Sequence, residues 1–104
     1  EINNRYTAKD KFDYAIWGVS DVAEKIYEYL LHNFPNAKLV KVIDSFATKC
    51  FHNVISEKPS VLQKEDTFVT IVATINCMDS GAKPLFKTLG KAEQQYIYAA
   101  DSFI

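Results

Sequence analysis

The sequence is poor in the residues that usually announce chemistry. It has two cysteines, Cys50 and Cys77, and they form no CxxC pair. No zinc-type spacing occurs either, so neither a metal cluster nor a disulfide framework is indicated. Two buried free thiols in a reducing cytoplasm are the expectation. No run of about 18 apolar residues is present, which leaves no candidate membrane span, and no signal peptide is visible. Charge of one sign is lacking too. Twelve basic residues stand against thirteen acidic ones, and the basic ones are scattered. A nucleic-acid binder needs a basic patch to neutralise phosphates, so that class is not expected. The first residue is Glu1 rather than methionine, and the expectation is a chain trimmed or excised from something longer.

What is present is an ordinary globular composition. The chain has 104 residues, 48% of them apolar and 24% charged, which suits one ordered domain rather than a disordered tract. Residues 1–11, EINNRYTAKDK, read as a polar arm or short helix. FDYAIW predicts a strand over 12–17. From Ser20 to Asn33 the period changes. Val22, Ile26, Leu30 and Phe34 recur every fourth residue, flanked by Ala23, Tyr27 and Leu31, and make one apolar helical stripe. Ser20 suits the N-cap, and Pro35 follows the helix end.

AKLVKVIDS predicts a second strand over 38–44. A short strand near 53–55 follows, then a turn beginning at Pro59. TFVTIVATI, 67–75, is a nearly unbroken β-branched run of the kind buried on both faces of a parallel sheet. Leu85, Phe86 and Leu89 mark a last helix capped by Gly90, and a final strand is expected over 95–99. The alternation predicts a small three-layer Rossmann-like α/β domain. Its sheet would hold about four parallel strands in the order 2-1-3-4, joined by right-handed crossovers.

Ligands on such sheets bind beyond the carboxyl ends of the strands, where the strand order reverses. Three segments would meet there. The first is Gly18, Val19, Ser20, Asp21 and Val22. Gly18 permits a tight turn, and the exposed amides of a helix start can hold phosphate. Gly18, Ser20 and Ala23 stand where G-x-G-x-x-G/A asks for Gly, Gly and a small residue, so the fingerprint lacks its second glycine. The Ser20 hydroxyl can donate to an oxygen, whereas the Asp21 carboxylate would repel a phosphate unless it points away. The second segment is Asp44, Ser45 and Phe46. Asp44 lies 26 residues after Gly18, a spacing suited to an acid that accepts from a ribose hydroxyl; it equally suits an acid capping its own turn. The third is Thr74 and Asn76, a polar pair after the central strand that would face the cleft or cap the next helix.

Other residues read more plainly. Trp17 is expected to pack under the helix. His32 suits a helix C-terminal dipole. Cys50 and His52 lack any visible orienting group or oxyanion hole for a nucleophile pair. No Y-x-x-x-K dehydrogenase pair occurs. Tyr27, Tyr29, Tyr96 and Tyr98 suit packing or an oligomer face.

Five stretches, "YAIWGVSDVAEKIYEYL", "LVKVIDS", "VISEKPSVL", "FVTIVATI" and "LFKTLGKAEQQYI", together cover most of residues 12–99. In this arrangement the chain resembles the Rossmann-like modules of bacterial polysaccharide and nucleotide-sugar enzymes, such as the amino-terminal domain of sugar acyltransferases. The resemblance implies NAD or a UDP-sugar as the bound nucleotide, with Gly18 and Ser20 near a phosphate and Asp44 near the ribose or base. It also implies a binding domain of a larger transferase rather than a complete catalyst, because the left-handed β-helix half of the acyltransferases is absent. Two other readings stand beside it. One is a ligand-free Rossmann-like interaction or oligomerisation module, pairing through a final strand near Tyr96, Tyr98 and Phe103, as a homodimer or with another domain. The other is a fragment of an S-adenosylmethionine methyltransferase.

Overall fold

The run FDYAIW forms strand β1 (Phe12–Trp17), whose last four residues are buried. In the computed structural model, which describes residues 2–74 and 81–99, β1 lies in the interior of a four-stranded sheet. Strand β2 (Ala37–Ile43) pairs with one side of it and strand β5 (Val69–Val72) with the other, both in parallel. Strand β6 (Tyr96–Tyr98) adds to β5, again in parallel. Between β2 and β5 the chain makes a small antiparallel hairpin, β3 (Cys50–Phe51) and β4 (Val54–Ile55), and a single 3-10 turn over Pro59–Val61. The main sheet therefore runs β2-β1-β5-β6, the expected order 2-1-3-4 once the hairpin is counted apart.

The interior strands carry apolar residues consecutively because both faces are covered. Ile16, Val42 and Ile71 face one core, and their successors Trp17, Ile43 and Val72 face the other. Helix α2 (Asp21–Asn33) covers the first face with Ala23, Ile26 and Leu30. Each large aliphatic side chain buried there contributes about 1.5–3 kcal/mol of transfer free energy. Helix α3 (Lys83–Leu89) covers the second face with Phe86, packed with Trp17 and Leu62. Gly90 ends α3 in the left-handed conformation, as its place after the last apolar residue predicts.

The amino-terminal segment takes the short-helix form of its two expected forms, α1 (Ile2–Arg5), but it is not simply polar: Ile2 is buried in the α2-side core, and Tyr6 stacks on Phe12 at 3.8 Å. The structure corrects three further local expectations. Leu31 leaves the apolar stripe and is exposed, because the buried face of α2 centres on Ala23, Ile26, Leu30 and Phe34. Cys50 is an exposed thiol rather than a buried one. Strand β5 is shorter than the β-branched run, since its neighbours offer pairing partners only between Val69 and Val72. Cys77 and Phe103 lie outside the described residues. Among the described residues, no helix is long and apolar enough to cross a membrane.

Candidate functional site

The carboxyl ends of β1, β2 and β5 are tied together by two backbone bonds. The Gly18 amide donates to the Ile43 carbonyl at 2.8 Å, and the Ala73 amide donates to the Trp17 carbonyl at 2.8 Å. Just beyond them a cleft of about 210 Å³ opens. Seven of the ten residues predicted from the sequence line it: Gly18, Val19, Ser20, Asp44, Ser45, Phe46 and Thr74. Asp21, the first residue of α2, is exposed and not part of the lining, and Val22 is not part of it either. Asn76 lies outside the described residues.

Gly18 has φ +102°, a conformation open to glycine and strained for other residues. A Cβ built there would lie 2.9 Å from the Thr74 γ-methyl and 3.0 Å from its Cβ. The space left by the missing side chain is thus filled by Thr74. Ser20 caps α2 as predicted: its Oγ accepts from the Ala23 amide at 3.3 Å. The hydroxyl proton remains available as a donor, because a hydroxyl accepts and donates through different sites.

Asp44 is buried and occupied by its own loop. Its Oδ1 accepts from the amides of Phe46 and Ala47, both at 2.9 Å, and its Oδ2 lies 3.3 Å from Lys49 Nζ. Burial alone would raise its pKa. The amide hydrogen bonds from Ala47 and Phe46 and the Lys49 ammonium outweigh that effect and hold it below the usual value. The geometry is that of an acid capping a turn, with the carboxylate at the cleft wall.

Phe46 belongs to a strand-end segment expected at the cleft, though no role was assigned to it, and Lys49 was not singled out in the sequence. Phe46 projects from the loop after β2 and is 81% exposed. Lys49 places a half-exposed cation on the same loop. Their proximity to the site follows from the loop folded by Asp44, which leaves no periodic signal. Trp17 also lines the cleft. It packs under a helix as expected, but the helix is α3, where it meets Phe86 edge-on at 5.8 Å. Its Nε1 is buried and has no hydrogen-bond partner among the described residues.

The remaining sequence candidates have other tasks. His52 stacks on Tyr27 at 3.7 Å, and its Nε2 lies 2.8 Å from Glu24 Oε2, which fastens the β3–β4 hairpin to α2. His32, in the last turn of α2, pairs with Glu28 one turn earlier. Tyr27 and Tyr29 pack against the α2-side core, and Tyr96 and Tyr98 against the α3-side core. Among the described residues, no group of His, Cys, Asp or Glu side chains is placed to hold a metal ion.

The cleft thus gathers a small-residue turn, a helix start, three hydroxyls, the Asp44–Lys49 ion pair and one exposed aromatic ring. That set suits a ligand with a ring and an anionic group. Comparison with known proteins finds no matching family model, and no match among curated proteins or solved structures.

Proposed function

We propose that the chain is a nucleotide-binding Rossmann-like domain whose ligand occupies the cleft at the carboxyl ends of β1, β2 and β5. The observation that carries this reading is the convergence of Phe46 and Lys49 on the cleft lined by Gly18, Ser20 and Thr74. A ring as exposed as that of Phe46 offers a stacking surface for a base, and the half-exposed Lys49 ammonium, paired on one side with Asp44 at 3.3 Å, offers its open side to a phosphate. The Ser20 hydroxyl and the first amides of α2 add donors for the same anion.

The size of the cleft narrows the ligand. At about 210 Å³ it is smaller than the roughly 300–1,000 Å³ of a typical drug-sized site. It suits one nucleoside phosphate, with the rest of a UDP-sugar or of NAD outside. A dinucleotide classically spans two mononucleotide-binding halves, and this sheet resembles one. A UDP-sugar is therefore favoured over NAD, in keeping with a binding domain of a larger transferase of glycan biosynthesis.

The engagement of Asp44 with its own loop, and of the Gly18 gap with Thr74, favours a second reading: a Rossmann-like interaction module with no ligand in this cleft. Calorimetric titration with UMP, UDP, UDP-glucose, AMP and NAD separates the two. Under the nucleotide reading at least one of them binds, and Phe46→Ala weakens it by about 1–3 kcal/mol, the scale of base–aromatic stacking. Thermal stability stays unchanged, because the ring is already exposed. No heat with any of these ligands, or equal affinity in the Phe46 variant, overturns the nucleotide reading.

A further inference from the structure

The loop that carries Phe46 and Lys49 to the cleft is held from outside it. Residues 44–49 join β2 to β3, and their backbone is bonded to the stretch just after β4. The Asp44 amide donates to the Glu57 carbonyl at 3.0 Å, and the Ser56 amide donates to the Lys49 carbonyl at 2.7 Å. The Lys58 ammonium donates to the Ser45 carbonyl at 3.3 Å. One side chain stands in the middle of these bonds. Ser56 Oγ accepts from the Lys49 amide at 2.7 Å and donates to the Ala47 carbonyl at 3.2 Å. Ser56 is buried, with 6% of its surface exposed, and it is not part of the cleft lining.

The other end of this support rests on α2. Phe51 of β3 is buried in the α2-side core and meets Tyr27 edge-on at 5.8 Å. His52, in the turn between β3 and β4, stacks on the same tyrosine, and its Nε2 lies 2.8 Å from Glu24 Oε2. Glu24 belongs to the first turn of α2, the helix that Ser20 caps. Ser20 lines the cleft beside that helix start, and Phe46 and Lys49 line it from the loop. The two walls are therefore joined behind the cleft by the β3–β4 hairpin, and Ser56 is the joint on the loop side.

We infer that Ser56 is a positioning residue of the strand-end cleft: its hydroxyl sets where Phe46 and Lys49 stand relative to Ser20, without touching the ligand. The inference rests on the nucleotide reading of that cleft. One hydroxyl makes both bonds, because its oxygen accepts while its proton is donated. Alanine offers neither. The Lys49 amide and the Ala47 carbonyl, both in exposed residues, then turn to water, and the loop loosens. The Asp44 carboxylate still holds the Phe46 and Ala47 amides, and the sheet ladder is untouched, so the change is confined to the loop.

The test uses the whole chain with Ser56→Ala and Ser56→Thr, circular dichroism confirming the fold. Hydrogen exchange followed by nuclear magnetic resonance needs no ligand and begins with the wild type. The Lys49 amide is expected to be protected although its residue is exposed, and to exchange at least about tenfold faster in Ser56→Ala, as for a locally opened segment. Amide resonances of residues 45–49 are expected to move in that variant. Calorimetric titration with UDP is expected to show binding roughly 3- to 10-fold weaker in Ser56→Ala, the scale of one or two lost hydrogen bonds, and within about twofold of wild type in Ser56→Thr, which keeps the hydroxyl. In a Phe46→Ala background Ser56→Ala is expected to cost less affinity, because one of the two groups it positions is gone. A freely exchanging Lys49 amide in the wild type, unmoved resonances at 45–49, equal UDP affinity in wild type and Ser56→Ala, or an equal loss in Ser56→Thr overturns the inference. Wild-type protein that binds neither UDP nor the other nucleotides overturns the nucleotide reading instead, and the exchange and resonance measurements then decide whether Ser56 holds the loop.

Discussion

Gly18 and Thr74 meet across the ends of β1 and β5 so closely that any side chain on Gly18 would collide with the Thr74 γ-methyl, 2.9 Å from the position of its Cβ. Replacing Gly18 by alanine therefore adds a clash to a strained backbone, which alone costs about 1–3 kcal/mol. Chemical denaturation is expected to show a loss of at least that size for Gly18→Ala. Removing the methyl with Thr74→Ser is expected to return part of it, giving a coupling of about 0.5–1.5 kcal/mol in a double-mutant cycle. Strict additivity would mean that the two residues do not press on each other.

Asp44 carries a prediction about pH. Its pKa is held low in the folded protein, so the unfolded chain binds the proton more readily. The carboxylate therefore contributes stability above its unfolded value of about 3.9, and that contribution is lost as pH falls through the folded value. Denaturation midpoints of the wild type are expected to fall more steeply below about pH 4 than those of Asp44→Asn. Asp44→Ala strands two loop amides and is expected to cost about 2–4 kcal/mol at neutral pH, on the scale of hydrogen bonds to a charged group. Loss of nucleotide binding in that variant would thus reflect a disordered loop as much as a missing ribose contact, which makes Phe46→Ala the cleaner probe of the cleft.

Lys91 is a buried cation whose side chain is fully enclosed beside Asp66. Lys91→Ala takes the ammonium from the Gln63 carbonyl and the Asp66 carboxylate, which among the described residues keep only the bonds between themselves, Asp66 amide to Gln63 carbonyl at 3.3 Å and Gln63 amide to Asp66 Oδ2 at 2.7 Å. A stability loss of about 2–4 kcal/mol is expected, somewhat less than for a fully buried pair because Asp66 retains contact with water. A midpoint within 1 °C of the wild type would remove Lys91 from the load borne by the segment before β5.

The hairpin turn at His52 and Asn53 has φ +48° and +68°, the backbone of a type I′ turn, which favours asparagine and glycine. Asn53→Gly relieves the second of these positions and is expected to stabilise the chain by about 0.5–1 kcal/mol. A destabilised Asn53→Gly protein would show that the asparagine side chain supports the turn.

The strands and helices of the main layer were legible because each had a clean period. FDYAIW and the Ser20-capped stripe of α2 appear where the pattern places them, and Gly90 marks the end of α3. The hairpin was only half visible. Its turn is His-Asn rather than Asn-Gly, and its strands are two residues each, too short for alternation to register. At the site, sequence spacing brought Gly18, Ser20, Asp44 and Thr74 together, because parallel topology fixes which strand ends adjoin. It did not reveal that Asp44 is spent on its own loop, since a turn-capping acid and a ligand-binding acid leave the same letter at the same position. Phe46 was visible only as the end of its strand-end segment, and Lys49 was invisible, for a related reason: their placement is a product of that capped loop.

Trp17 is the single tryptophan of the chain, and it is nearly enclosed, with 1% of its surface exposed. It lines the strand-end cleft on one side and meets Phe86 on the other, and Phe86 in turn stacks on Tyr96. One indole thus joins the cleft wall to the packing under α3. Its emission, excited apart from the tyrosines, is an optical gauge already built into the protein. A change in the cleft would alter the indole's immediate surroundings, whereas a shift of α3 would reach it through the Phe86 ring.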